Sequence, residues 1–123
     1  MRTTRIIALF VAIAMLPVAL ASCGGGEVYG EPISDANVTP VADILADPVA
    51  YDGQMVKLEG EIGNECPTGC WFELREGSAP IHVDIAPHGL AIPQKQGSRV
   101  IVEGTVKITD SRLMVIGKGV EIR

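Results

Sequence analysis

The residue pattern of this chain predicts an all-β domain with one short helix, folded as a five-stranded Greek-key barrel. Three observations support it. From Met55 onward, apolar residues recur at every second position through five successive runs. Gly60 and Gly104 stand midway along the first and fourth runs, where a strand that curves round a barrel gains from having no side chain. Helical spacing occurs in a single segment, just before the runs.

In chain order, Thr39-Pro40 reads as an N-cap followed by proline at the first helical position. Val41, Ile44 and Leu45 then form an apolar stripe at helical spacing, and Asp47-Pro48 ends the helix. Tyr51-Asp52-Gly53 turns the chain into the first strand, where Val56, Leu58, Gly60 and Ile62 alternate with Lys57, Glu59 and Glu61. Gly63 to Gly69 reads as a loop. The second strand, Trp71 to Arg75, turns Phe72 and Leu74 inward and Trp71, Glu73 and Arg75 outward. After a turn at Glu76-Gly77-Ser78, the third strand has Ile81, Val83 and Ile85 on one face and His82 and Asp84 on the other. Pro87 to Gly97 is a connector. Val100, Val102, Gly104, Val106 and Ile108 mark the fourth strand, and Asp110-Ser111 turns it into a fifth, from Leu113 to Ile122.

Five strands punctuated in this way fit a closed barrel of the oligonucleotide/oligosaccharide-binding (OB) type better than a sandwich, which uses about seven or more. An OB barrel usually carries a helix between its third and fourth strands. Here Pro87, Gly89 and Pro93 leave that connection short or irregular.

Ahead of the barrel lies a leader with basic Arg2 and Arg5, an apolar stretch from Ile6 to Leu20, and small residues before Cys23. The apolar stretch is shorter than the roughly 20 residues that a membrane span needs. Leu20-Ala21-Ser22-Cys23 resembles the bacterial lipoprotein box, in which a signal peptidase cuts before a cysteine carrying a diacylglyceryl thioether. The resemblance implies removal of residues 1–22 and anchoring of Cys23 in the membrane by its acyl chains. Gly24 after that cysteine points to the outer membrane by the sorting habit of enteric bacteria. The expected organisation is a lipoprotein signal at 1–22, a lipidated N-terminus and flexible tether at 23–38 that begins with Gly24, Gly25 and Gly26, and the OB domain at 39–123. The expected address is the periplasmic side of a bacterial envelope, with the membrane as partner through the anchor.

Charge narrows the function. The chain holds ten Lys and Arg against fifteen Asp and Glu; losing Arg2 and Arg5 with the leader leaves a net charge of −7 over 101 residues. Nucleic-acid affinity comes largely from cationic groups that displace counterions from phosphates, so no nucleic-acid partner is expected. Serine-nucleophile, phosphate-loop and metalloprotease-helix motifs are all missing, and the carboxylates are scattered along strand faces. The expectation is a protein that is not an enzyme.

Tyr29-Gly30-Glu31, Glu65-Cys66-Pro67-Thr68-Gly69-Cys70-Trp71, His82-Val83 and the stretch from Gly89 to Pro93 together resemble an uncharacterised family of small exported bacterial OB-fold proteins, marked by a cysteine-to-Gly-Cys-Trp loop. Four residues commonly separate the two cysteines in that family, whereas Pro67, Thr68 and Gly69 make three here. The resemblance implies a fold and export and carries no established activity, so function rests on the residues.

With Cys23 lipidated, Cys66 and Cys70 remain, and three readings stay open for them. One is a structural disulfide, since the envelope is oxidising and a Pro-Gly turn brings the pair close. A second is a copper or zinc site that adds His82 or His88 to the two thiolates. The third is a thiol-disulfide redox partner. Against it, no cysteines stand two apart, and Glu65 beside Cys66 opposes a lowered thiol pKa. On the outer face, Trp71, Glu73, His82 and Asp84 share the surface that OB folds use for ligands, a set suited to a cation or to a polar solute stacked on the indole. The plainer reading makes His82 a solvated strand residue and His88 an exposed loop residue. The expected function is therefore an anchored module that binds a small solute, a metal ion or an envelope protein partner, with a redox partner and a nucleic-acid-binding OB fold as alternatives.

Overall fold

The computed structural model describes residues 26–123; the leader, Cys23 and the first two tether glycines lie outside them. Its elements are β1 (Glu27–Gly30), α1 (Val41–Ala46), α2 (Pro48–Tyr51), β2 (Met55–Glu65), β3 (Trp71–Glu76), β4 (Ala79–Asp84), a 3-10 turn (Ala86–His88), β5 (Arg99–Thr109) and β6 (Arg112–Ile122). Strands β2, β3, β4, β6 and β5 hydrogen-bond in that ring order, and β5 returns to β2. All of these pairings are antiparallel except β4 with β6, which is parallel. The result is a closed five-stranded mixed barrel with OB connectivity, the fold class that the alternating runs predicted.

The alternation sorts core from surface as expected. Leu58, Phe72, Leu74, Val83, Ile85, Val100, Val102, Val106 and Val115 are fully buried inside the ring. Gly60 and Gly104 lie where neighbouring backbone comes closest, and a Cβ on either would stand 2.3 Å from a carbonyl oxygen, of Arg75 or Ile116 respectively. Any larger residue there would force the barrel apart.

Helix α1 plugs one end of the barrel. It is too short to hold itself, and no side chain caps it. The N-cap is Pro40, one residue later than the Thr39 cap expected, and the Thr39 N–H donates to the Lys57 carbonyl at 2.8 Å. Burial fixes the helix instead: Val41 and Ile44 are completely enclosed, each contributing about 1.5–3 kcal/mol relative to exposure. Asp47 ends α1 as predicted, but Pro48 then occupies the first turn of a second short helix, α2, so two helices stand where one was expected.

Two further differences bear on the site. Strand β2 runs on to Glu65 through a register shift between Ile62 and Glu65, into residues that the pattern assigned to a loop. Within the stretch read as a tether, β1 pairs antiparallel with β6, Glu27 opposite Ile122. The chain then crosses the barrel wall. Glu31 N–H donates to the Lys118 carbonyl at 2.9 Å, Ser34 N–H donates to the Glu103 carboxylate, and Lys57 Nζ donates to the Ser34 carbonyl at 2.8 Å. Glu103 is the buried charged side chain among the described residues, held by this strap. No helix among the described residues is long and apolar enough to cross a membrane.

Candidate functional site

Cross-strand register assembles the outer face. On β3 and β4, Trp71 stands opposite Asp84 and Glu73 opposite His82, while the intervening Phe72 and Val83 point into the core. All four residues singled out for the ligand face therefore share one surface. The Trp71 and His82 rings lie diagonally across the pair, with centroids 5.2 Å apart and planes tilted by 34°. The two carboxylates already have partners. Glu73 accepts from Arg75 Nε at 2.5 Å, and Asp84 accepts from the Ala86 N–H at 3.1 Å, which fixes the start of the 3-10 turn. A pure cation site is thereby weakened, because the Glu73 charge is committed to Arg75 and only the Asp84 carboxylate keeps its charge without a cationic partner among the described residues.

Parallel pairing of β4 with β6 adds a second wall. His82 lies opposite Met114, and His82, Arg112, Leu113 and Met114 line an open cavity of about 270 Å³. Arg75, Arg99 and Arg123 each pair with a glutamate, whereas Arg112 has no carboxylate partner among the described residues. Arg112 follows a two-residue hairpin turn whose residues, Asp110 and Ser111, both have positive φ, of 48° and 64°. Sequence reasoning missed Arg112, Leu113 and Met114. The signal was available in the OB strand order, which seats the fifth strand beside the third.

At the other end of the face lies the cysteine loop. The Gly69 N–H donates to the Cys66 carbonyl at 2.8 Å, closing a β-turn with Pro67 at its second position. Gly69 has φ of 76°, and a Cβ there would meet the Ile92 carbonyl oxygen at 2.1 Å, so glycine is required on both counts. The connector clamps this turn: Ile92 N–H donates to the Gly69 carbonyl at 3.1 Å and Gln94 Nε2 to the Cys66 carbonyl at 2.8 Å. Buried Cys66 and half-buried Cys70 are both free thiols, with their sulfurs 2.7 Å apart.

The Cys66 thiol is lowered to about 6 by hydrogen bonds first from Cys70 and then from the Thr68 hydroxyl, 3.1 Å away. This corrects the expectation that Glu65 would hold the thiol up. The Glu65 carboxylate turns away to accept the Lys95 N–H, at 2.8 Å and 3.1 Å to its two oxygens. His82 sits on the aromatic face and His88 in the 3-10 turn, and no group of three His, Cys, Asp or Glu among the described residues is arranged to hold a metal ion.

The class that this geometry defines is an OB-fold barrel. No family model and no curated protein matches the chain. Among solved structures it is similar to the hypothetical protein ygiW from E. coli, at 19% identity and a TM-score of 0.58 over 76% of this chain and 98% of that one. It is also similar to asparaginyl-tRNA synthetase from Pyrococcus horikoshii, at 21% identity and a TM-score of 0.51. That match covers 59% of this chain and 20% of the enzyme. At such identities the likeness is one of fold.

Proposed function

We propose that this protein is a non-catalytic binding module, lipid-anchored through Cys23 on the periplasmic side of the bacterial outer membrane. Its ligand is a small solute held in the cavity between β4 and β6. The observation that carries this reading is the Arg112 guanidinium, without a carboxylate partner among the described residues, at a cavity whose other walls are His82, Leu113 and Met114. A guanidinium offers a planar fork of donors to a carboxylate or similar acceptor, and the Leu and Met side chains take an apolar body. Trp71, tilted by 34° against the His82 ring, extends the apolar surface outward. The proposed ligand class is thus a small amphipathic solute with an anionic or acceptor head, of a size limited by the cavity. Glu73 and Asp84 shape the face through Arg75 and the 3-10 turn.

Two features speak against nucleic acid as the ligand. Single-strand binders stack successive bases on several aromatic rings in a basic groove. Here Trp71 is the chain's only tryptophan, and acidic residues are interleaved with Arg75 and Arg112.

The sole tryptophan also supplies the test. A panel of small carboxylates, amino acids and sugars is titrated while Trp71 fluorescence is followed. A saturable change with a carboxylate that Arg112→Ala abolishes supports the reading. No saturable change with any compound, or one that Arg112→Ala leaves intact, removes it.

A further inference from the structure

The cavity leaves the cysteine loop unused, yet that loop is clamped by Ile92 and Gln94 and admits only glycine at position 69. We propose that Cys66 and Cys70 form an exchangeable disulfide, opened and closed by thiol-disulfide exchange with an external disulfide or dithiol that reaches the Cys70 sulfur.

Geometry favours a sulfur-sulfur bond over the other uses of two thiols. The sulfurs stand 2.7 Å apart, well inside non-bonded contact. Two sulfurs sharing a tetrahedral zinc at about 2.3 Å each would stand roughly 3.8 Å apart. The backbone on both sides is pinned, by Cys66 N–H to the Trp71 carbonyl at 3.0 Å and Ile85 N–H to the Cys70 carbonyl at 3.1 Å. The pair is thus held in approach by the fold itself.

Asymmetry makes the bond exchangeable. Cys66 is buried, while Cys70 is half-exposed, so an outside reagent meets Cys70. In the oxidising direction, the Cys70 thiolate attacks one sulfur of an external disulfide. That disulfide breaks, one partner thiolate leaves, and a mixed disulfide remains on Cys70. The Cys66 thiolate then attacks Cys70 Sγ and expels the second partner thiolate. Two electrons pass from the cysteines to the partner, and whatever protons the two sulfurs carried pass to solvent or to the released thiolates. In reverse, an external dithiol attacks Cys70 Sγ and Cys66 leaves. With Cys70 then held in the mixed disulfide, the Thr68 hydroxyl, 3.1 Å from Cys66 Sγ, is the donor that stabilises the departing thiolate, and a stabilised leaving thiolate speeds opening. The ring is short, so its closure removes little chain entropy, and neither cysteine belongs to the main core cluster.

The test equilibrates the full chain with glutathione buffers of graded reduced-to-oxidised ratio, quenches with acid, alkylates, and weighs peptides, which counts Cys23 separately. The expected result is a peptide spanning Cys66 and Cys70 that passes from doubly alkylated to unalkylated within the range of ratios. With oxidised glutathione, Cys66→Ser is expected to gain an adduct on Cys70 about tenfold faster than Cys70→Ser gains one on Cys66. Thiols free at every ratio, thiols blocked at every ratio, or faster capture at Cys66 overturn the proposal. If either serine variant fails to fold, the wild-type titration decides alone.

Discussion

Trp71 and His82 lie diagonally across β3 and β4 with ring centroids 5.2 Å apart, which joins the cysteine loop at one end of the outer face to the Arg112 cavity at the other. The contact follows from strand alternation alone: one register step would send both rings into the core.

Adjacent positions on β3 are therefore expected to lose stability by different amounts. Phe72 is fully buried, and Phe72→Ala should cost about 3–5 kcal/mol of stability. Trp71→Ala loses chiefly the aromatic pair with His82, about 1 kcal/mol, and should abolish the face as a ligand surface. Urea unfolding followed by circular dichroism, which needs no tryptophan, measures both. A Trp71→Ala loss as large as that of Phe72→Ala would place Trp71 in the core.

The reduced protein should gain stability as pH rises. Cys66 has a folded-state pKa of about 6 against an ordinary 9.0. A lowered value means that folding favours the thiolate. The contribution is absent below pH 6, grows as pH rises from 6 to 9, is complete above that range, and is lost again as pH falls through 6. Urea midpoints under reductant should therefore rise more steeply over this window in wild type than in Cys66→Ser, and equal slopes would contradict the lowered thiol.

Gly69→Ala should open the cysteine loop. The new methyl faces a positive φ and the Ile92 carbonyl at 2.1 Å, so the turn and the connector must separate. A cost of at least about 1 kcal/mol is expected, with faster alkylation of Cys66 in the reduced protein. Unchanged alkylation would mean that Ile92 does not clamp the turn.

Glu103→Ala should release the strap. Glu103 is buried and accepts the Ser34 N–H, and a hydrogen bond to a charged group is worth about 1.5–3 kcal/mol. Hydrogen exchange at Ser34 and Thr39 should accelerate while exchange in β3 and β4 stays slow. Uniform acceleration across the barrel would instead make the strap part of the global fold.

The barrel was legible in the sequence because its strands are half-buried, and Phe72, Leu74, Ile81 and Val83 declare their face by period two. The same alternation placed Trp71, Glu73, His82 and Asp84 together correctly. Strand β1 gave no such signal: Glu27, Val28 and Gly30 are exposed, and backbone bonds to β6 hold it. Arg112 and Met114 escaped notice because their place beside His82 is set by a parallel pairing between segments distant in the chain. The Cys66 thiol was misjudged from its sequence neighbour Glu65, whose carboxylate the fold turns to Lys95, leaving Cys70 and Thr68 to set the thiol's character.

Amide chemical-shift mapping during titration with the carboxylate that shifts Trp71 fluorescence tests most directly whether this face is the ligand surface. Perturbations should cluster at residues 71–84 and 112–116 and vanish in Arg112→Ala. Shifts gathered around Gly26, Lys95, Ser98 and Arg123, the lining of the cavity near the chain's C-terminus, would contradict it.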